Sequence, residues 1–446
     1  MAKKETRHSE LVSESQNIDA PYELPEGWKW CRLGDVCEKI KRGKSPKYTD
    51  KSKILVFAQK CNQPDGTMSL EKALFLNEEL LSKYKDDDFV KDGDILINST
   101  GTGTIGRVGY FDKALLPEGM KLVPDTHVTT VRACADNASK FFYYFIKQKE
   151  SYLELKGVGT TNMKELHADV LENLSFPLPP TLAEQQRIVN RIESMFAKLD
   201  EAKDKAQSVV DSFENRKAAI LHKAFSGELT ANWRKENGVS DESWEEKRIN
   251  DCCIPRAGYA FDSKKFTTSG FQIIRMGNLY AGELDLSRSP VYYSENDLDD
   301  SIKKRALIND GDILITLTGT KYKRDYGYAV RIDNPNSLLV NQRILCLTPK
   351  NEIKTNYLLY YLHSNMFRDV FFSNETGGVN QGNVSSKFVE SISFRLPTLP
   401  EQQEIVRILD TVLEKESRAK EAAQTVLDQI ALLKKSILAR AFRGEL

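Results

Sequence analysis

The chain has 446 residues, of which 40% are hydrophobic and 29% charged, and its formal net charge is zero. That is enough chain for roughly two to three domains with real cores, and enough charge for long solvated helices. Neutrality excludes a globally basic nucleic-acid binder and an acidic tail protein, while leaving room for local patches.

The first 20 residues, "MAKKETRHSELVSESQNIDA", form a polar tail without the apolar core of a signal peptide. Residues 21–180 read as a β-rich domain. "DILINST" is strand-like behind a Gly-Asp turn, and "KFFYYFIKQKESYLELK" is helix-like. Residues 181–226 read as one long helix. Thr181 and Glu184 have capping-box spacing, and Gly227 suits the left-handed residue that ends a helix. Ile188, Ile192, Leu199, Val209 and Phe213 lie on a seam of alternating four- and three-residue steps, as in a coiled coil. Residues 227–242 read as a linker.

Residues 243–397 read as a second β-rich domain, with "DILITLT" and "TNYLLYYLHSNMFRDVFF" as its strand and helix. Residues 398–446 repeat the long helix, with Thr398 and Glu401 at the start and Gly444 at the end. Its seam holds Ile405, Leu409, Val412, Val426 and Ile430. Glu416 interrupts this seam, and Arg216 the first. Both are expected to mark places where pairing loosens.

The plan is a tandem duplication, which a search for internal repeats exposes directly. "PTLAEQQRIV" at Pro180–Val189 returns as "PTLPEQQEIV" at Pro397–Val406, and "FSGEL" returns as "FRGEL". "WKWCRLGDVC" faces "WEEKRINDCC", and "KDGDILINSTGT" faces "NDGDILITLTGT". Between these landmarks the globular parts diverge. The fold class expected is α+β: two β-rich domains related by a pseudo-twofold axis, separated by two long helices in an antiparallel coiled coil. A contact that uses the same patch twice about a twofold must run antiparallel. About 40 residues at 1.5 Å each make a rod of roughly 60 Å. The competing arrangements are a homodimeric zipper, and two helices that each pack on their own domain.

No catalytic constellation survives inspection. "GTGTIG" (Gly101–Gly106) matches a dinucleotide fingerprint, but the glycine-broken "RVGYFD" follows where a helix must open. "GKS" (Gly43–Ser45) lacks the earlier P-loop glycine, since Glu38 stands there, and Pro46 blocks a helix. The five histidines are scattered. The seven cysteines contain no CxxC pair, which argues against zinc and disulfides and fits a reducing cytoplasm. "NPNS" is not a methyltransferase loop. No apolar run has membrane length, so no membrane partner is expected.

Basic, polar loops remain. Lys41, Arg42, Lys44, Lys47 and Tyr48 fall in a stretch with one acid, Asp50, and Thr102, Thr104 and Arg107 lie on the glycine-rich loop. In the second half, Lys264, Lys265, Arg275, Thr318, Lys321, Tyr322, Lys323 and Arg324 have the same character. Lysines neutralise phosphates, while arginine and polar side chains read base edges, so these residues suit double-stranded DNA. For any one patch the bland alternative is a solvated face. The loops "GTTN" (Gly159–Asn162) and "GGVN" (Gly377–Asn380) are second-tier candidates. Zero net charge implies modest affinity alone, so a partner would add phosphate contacts.

The repeated "LPPTLAEQQRIV…FSGEL" and "LPTLPEQQEIV…FRGEL", with the "GDIL" strands and domain openings, resemble specificity subunits of type I restriction–modification systems. The resemblance spans nearly the whole chain after Ala20. It implies a non-catalytic subunit in the cytoplasm whose two target recognition domains each read half of a split DNA sequence. It implies that the coiled coil sets the spacer and docks two modification (methyltransferase) subunits, with restriction (motor–nuclease) subunits completing the complex. It implies no cofactor in this chain, S-adenosylmethionine binding instead to the partner methyltransferase. Two competing readings are a stand-alone methyltransferase or nuclease with drifted motifs, and a coiled-coil scaffold without a DNA role.

Overall fold

Ile95–Asn98, the "ILIN" behind the first Gly-Asp, is buried at every position. A strand with no solvent face needs cover on both sides, and the computed structural model supplies it. The structure describes residues 20–64, 66–160, 163–378 and 380–446, so most of the polar tail, together with Thr161, Asn162 and Val379 of the two second-tier loops, lies outside the described residues. The chain divides into two units. One comprises the chain up to Ala206 together with Thr425–Leu446, and the other is Gln207–Gln424.

In the first unit Ile95–Asn98 is internal to an antiparallel sheet ordered Cys37–Arg42, Val128–Ala133, Ile95–Asn98, Val108–Tyr110. Ile95 and Ile97 face the helix Ser139–Gln148, in a cluster with Phe141, Phe142 and Phe145. Leu96 faces the other way, onto Leu55, Phe57 and Leu122. Those three belong to a second sheet ordered Tyr48–Thr49, Leu74–Leu76, Ile54–Phe57, Lys121–Pro124, whose last pair is parallel. A further pair, Lys29–Arg32 with Ser175–Leu178, brings the two borders of the domain together.

The second unit repeats this plan strand for strand. Its antiparallel sheet is Cys253–Ala257, Ile344–Pro349, Ile313–Thr316, Ala329–Arg331. Its other sheet is Phe266–Thr267, Tyr292–Tyr293, Phe271–Ile274, Leu338–Val340, again ending in a parallel pair. Glu245–Arg248 pairs with Ser393–Leu396 at the border. The "GDIL" aspartates explain why that motif recurs. Asp94 accepts the Lys91 N–H at 2.8 Å and receives Arg132 at 2.7 Å through both oxygens. Asp312 accepts the Asn309 N–H at 2.7 Å and pairs with Arg256. Both carboxylates are completely buried, and a buried charge persists only when paired and hydrogen-bonded. The turn aspartate is shared, whereas its arginine comes from a different strand in each unit.

The long helices are Leu182–Ser226 and Leu399–Phe442. Their repeated Glu-Gln-Gln heads do two jobs. Gln185 accepts the Ala138 N–H at 2.8 Å and donates to Asn137 Oδ1 at 2.9 Å. Gln402 accepts the Lys354 N–H at 2.8 Å and donates to the Pro397 and Glu352 carbonyls at 2.8 and 3.1 Å. Ala138 and Lys354 sit at the N-caps of the domain helices Ser139–Gln148 and Thr355–His363, and neither supplies a side-chain cap of its own. Each glutamine therefore satisfies an N–H at a helix start that would otherwise be orphaned, and it ties the long helix to its domain.

The glutamates depart from the capping-box expectation. The Glu184 N–H donates to Thr181 Oγ1 at 3.2 Å, but the Glu184 carboxylate is engaged by Arg187 at 2.8 and 2.9 Å. Glu401 is fully buried and accepts from Arg234 at 2.6 Å, Thr230 at 2.7 Å and Trp244 Nε1 at 3.0 Å. Thr230, Arg234 and Trp244 lie in and just after the segment expected to be a plain linker. That segment instead holds the short helix Ala231–Glu236, with Arg234 also bonded to Asp241 and to the Gly227 carbonyl.

Each helix ends at a left-handed glycine, Gly227 at φ +89° and Gly444 at φ +74°. The preceding aromatics enter domain cores. In the first unit Phe442 lies 5.1 Å from Phe141 and 5.3 Å from Phe145. In the second, Phe225 lies 5.4 Å from Tyr357 and 5.5 Å from Tyr361. The first unit is further fastened by Tyr22, whose hydroxyl donates to the Phe442 carbonyl at 2.9 Å.

Within each unit the helix segments run antiparallel. In the second, Glu214 faces Lys420 at 3.8 Å and Arg216 faces Glu416 at 2.7 Å, so ascending one segment descends the other. In the first, Arg187 donates to the Leu446 carbonyl at 2.7 Å and Asp200 pairs with Lys434 at 2.5 Å. Arg216 and Glu416 thus join the segments, where the sequence suggested loosening.

The seam residues divide. Ile188 and Ile192 are buried in the first domain's core, Ile405 and Leu409 in the second's. Leu199, Val209, Phe213 and Val412 are half-buried, and Ile430 is buried. Val426 is 38% exposed, and the more covered position there is its neighbour Leu427.

The two glutamates predict unequal costs. Glu401→Ala strips a buried arginine of its main partner and is expected to destabilise the protein by about 3 kcal/mol. Glu184→Ala removes a surface pair and is expected to cost less than about 1 kcal/mol. Urea denaturation of both variants measures the difference, and equal losses contradict this assignment.

Candidate nucleic-acid interface

In each domain the loops at one end of the two sheets converge. In the first, Arg42 at the end of its strand bonds to the Thr126 carbonyl and to Glu165. The Thr104 hydroxyl reaches Gln59 Oε1 at 3.1 Å, and the Thr100 hydroxyl meets His127 Nδ1 at 2.6 Å. Asn98 Nδ2 donates to the Gln59 carbonyl at 3.0 Å. Four loops are thereby held together: the basic loop after Arg42, which crosses from one sheet to the other, the Ala58–Lys60 segment, the glycine-rich turn and the turn at Asp125–His127.

The basic candidates differ in availability. Lys41 and Lys44 both bind Asp88, at 2.9 and 2.5 Å, so one negative charge already offsets part of that patch. Burial alone would raise the Asp88 carboxyl. The hydrogen bonds from Lys44, Lys41 and the Lys85 N–H outweigh it and hold the group well below the ordinary carboxylate range. Lys47 and Tyr48 are exposed, as is Thr102. Arg107 folds back onto the Gly103 carbonyl at 3.1 Å. The glycine-rich stretch leads into the strand Val108–Tyr110 and opens no helix, as the dinucleotide fingerprint would need.

Tyr48 and Gln59 line a cavity of about 210 Å³ together with Val56, Ala58, Lys60, Leu74, Asp125 and His127. An apolar floor with a few convergent polar groups is the usual composition of a recognition pocket. Burial pushes the Asp125 carboxyl above its ordinary value, against the His127 N–H bond and the charges of His127, Arg42 and Lys60. Lys60 closes the basic stretch that begins at Lys39 but was not chosen as a site residue, and Gln59, Asp125 and His127 were not singled out by composition, because none of them adds a positive charge to a run. The signal available was turn chemistry, a Pro-Asp step between two strand-like runs.

In the second domain Lys264 and Lys265 are exposed, with Lys265 paired to Asp297 at 3.1 Å. Arg275 donates to the Ser289 carbonyl at 2.6 Å. Thr318 is buried, its hydroxyl against the Met276 sulfur. Lys321 donates to the Gly377 carbonyl at 2.9 Å, and Arg324 pairs with Asp369 at 2.8 Å. Lys323 is exposed, and Tyr322 is 80% exposed. Tyr322 and Arg324 both have positive φ, +68° and +51°. Non-glycine residues held there cost about 1–3 kcal/mol each and tend to mark functional loops. Asp325, accepting the Thr320 N–H at 2.7 Å, and Glu375, accepting from Tyr322 N–H and the Tyr326 hydroxyl, hold the loop in that shape.

Among the described residues no cluster of three or more His, Cys, Asp or Glu side chains could hold a metal ion, and none of their helices is long and apolar enough to cross a membrane. A family model described as the type I restriction modification DNA specificity domain matches residues 25–209 and again 241–426. The chain is 22% identical over 409 residues to the type I restriction enzyme EcoBI specificity subunit of Escherichia coli, covering 83% of this chain and 82% of that one. It is 24% identical over 453 residues to the MjaVIII specificity subunit of Methanocaldococcus jannaschii, covering 95% and 94%. Its fold is similar to the crystal structure of the HsdS subunit from Thermoanaerobacter tengcongensis, with a TM-score of 0.64 at 19% identity over 96% of this chain and all of that one. Two matched domains, a shared sheet order and two long helices lead to one conclusion: the chain belongs to the type I restriction–modification DNA specificity family, with a non-catalytic role in DNA specificity alongside the other subunits of that system.

Proposed function

We propose that each of the two domains reads one half of a bipartite DNA target, and that the paired long helices set the unread spacing between halves. The observation that carries this reading is the repetition of sheet order and register around unlike exposed loops. Two readers of one design with different contents suit a target with two different halves. Each long helix runs unbroken, over 45 and 44 residues, which suits a fixed spacer.

The helices also dock two modification subunits, with restriction subunits completing the assembly in the cytoplasm. Target adenines are flipped out of the duplex into the methyltransferase partner, where S-adenosylmethionine binds. Zero net charge fits this division of labour, since partner subunits add phosphate contacts to those this chain makes. Lys47, Tyr48, Lys264, Lys323 and Tyr322 are the exposed candidates for backbone contact, and Lys41, Lys44, Lys265, Lys321 and Arg324 contribute from paired positions.

Exchange of residues 243–397 for the matching part of a relative is expected to change one half of the methylated motif and leave the other half intact. Mapping of methylated adenines in the host genome reads this, and an unchanged motif sinks the proposal. For backbone contact, Lys47→Ala is expected to weaken binding evenly across sequences and to flatten the log–log salt dependence by about one charge. A change in base preference with an unaltered salt slope would place Lys47 elsewhere.

A further inference from the structure

We infer that base choice in each domain is set by one short turn, Asp125–Thr126–His127 in the first domain and Asn341–Gln342–Arg343 in the second, and in particular by its last two side chains. This rests on the DNA-reading proposal and assigns that reading to named residues. The turns follow the parallel-paired strands Lys121–Pro124 and Leu338–Val340.

Their backbones are held by the same four hydrogen bonds. Asp125 N–H donates to the Phe57 carbonyl at 3.0 Å, and Asn341 N–H to that of Ile274 at 3.1 Å. Val128 N–H closes onto Asp125 at 3.2 Å, and Ile344 N–H onto Asn341 at 3.0 Å. Ser99 N–H donates to the His127 carbonyl at 2.8 Å, and Leu317 N–H to that of Arg343 at 3.0 Å. Gly43 N–H donates to the Val128 carbonyl at 2.9 Å, and Gly258 N–H to that of Ile344 at 3.1 Å. The glycines are needed at that last contact, because a Cβ on Gly43 would overlap the Asp125 and Pro124 carbonyls, and one on Gly258 the Asn341 carbonyl.

The first side chain of each turn is also spent on shape. Asp125 Oδ1 accepts the His127 N–H at 2.8 Å, and Asn341 Oδ1 accepts the Arg343 N–H at 3.4 Å, the pattern of an Asx turn. Two equal frames therefore present two unequal pairs. Thr126 is half-buried and His127 exposed, whereas Gln342 and Arg343 are both exposed. Gln and Arg are side chains that pair bidentately with adenine and guanine edges in the major groove, and Thr and His have neither geometry. Of the lysines in the first domain's basic stretch, Lys41 and Lys44 are held by Asp88, and an exposed lysine such as Lys47 or Lys60 neutralises phosphate rather than offering the paired donor and acceptor of a glutamine. A fixed backbone with interchangeable polar side chains is what a specificity determinant requires.

The test transplants the pair. The double variant Thr126→Gln/His127→Arg gives the first domain the second domain's side chains, and Gln342→Thr/Arg343→His does the reverse. Each full-length chain, with its modification subunits, methylates a random-sequence duplex pool, and methylated molecules are sequenced. Each variant is expected to shift base preference on the order of tenfold or more at one half of the motif, with the other half and the spacing unchanged. The reverse variant reports independently if the first fails to fold. An unaltered motif in a folded variant, or selectivity lost at both halves together, overturns the inference. A wild-type chain that yields no two-part motif overturns the DNA-reading proposal itself, and this inference with it.

Discussion

A primary amide can accept one hydrogen bond and donate another at once, and Gln185 and Gln402 use both capacities where a long helix meets a domain. Each accepts an N–H at the start of a domain helix and returns a donor nearby, Gln185 to Asn137 just ahead of that helix and Gln402 to the Pro397 carbonyl that leads into its own. Both side chains are almost wholly buried, so neither bond can be exchanged cheaply for water. The direction in which each helix leaves its domain is set here, and the burial of Ile188 and Ile192, or of Ile405 and Leu409, depends on it. The ten-residue repeat is therefore a joint made twice, whatever the domain in front of it reads.

The same repeat shows how far identical residues can part in role. Glu184 stays at the surface with Arg187, while Glu401 is the centre of a buried cluster. The difference lies in what surrounds the helix ends. In the second unit the stretch after Gly227 brings Thr230, Arg234 and Trp244 to the glutamate. In the first, the ground beside Gly444 is taken by Pro25, whose ring a Cβ there would strike, and Tyr22 bonds the Phe442 carbonyl.

Much of the architecture was legible in sequence because duplication doubles every signal. The "GDIL" turns and the glycine-terminated helices both fall where the paired landmarks put them. What escaped has physical causes. A heptad count treats every apolar position alike, so it could not tell that Leu427 is more covered than Val426. Nor could it see Arg216 and Glu416, an interruption on each helix considered alone, as partners with each other. The basic loop looked open because its counter-charge, Asp88, lies on a distant short turn. Asp125–His127 was invisible to a composition argument, and its place is fixed by a parallel strand pairing that only the folded chain defines.

The clasp of Gly43 and Gly258 on the turns beside them bears on how such a protein changes over generations. Because the glycines and the Asx residue carry the backbone geometry, mutations at the next two codons are screened chiefly for what they recognise, the Thr100–His127 bond of the first domain being the structural tie they can lose. Heritable variation is thereby channelled into a pair of positions per domain. A lineage can drift to a new target by substitutions that leave its stability, its partners and its other half-target where they were.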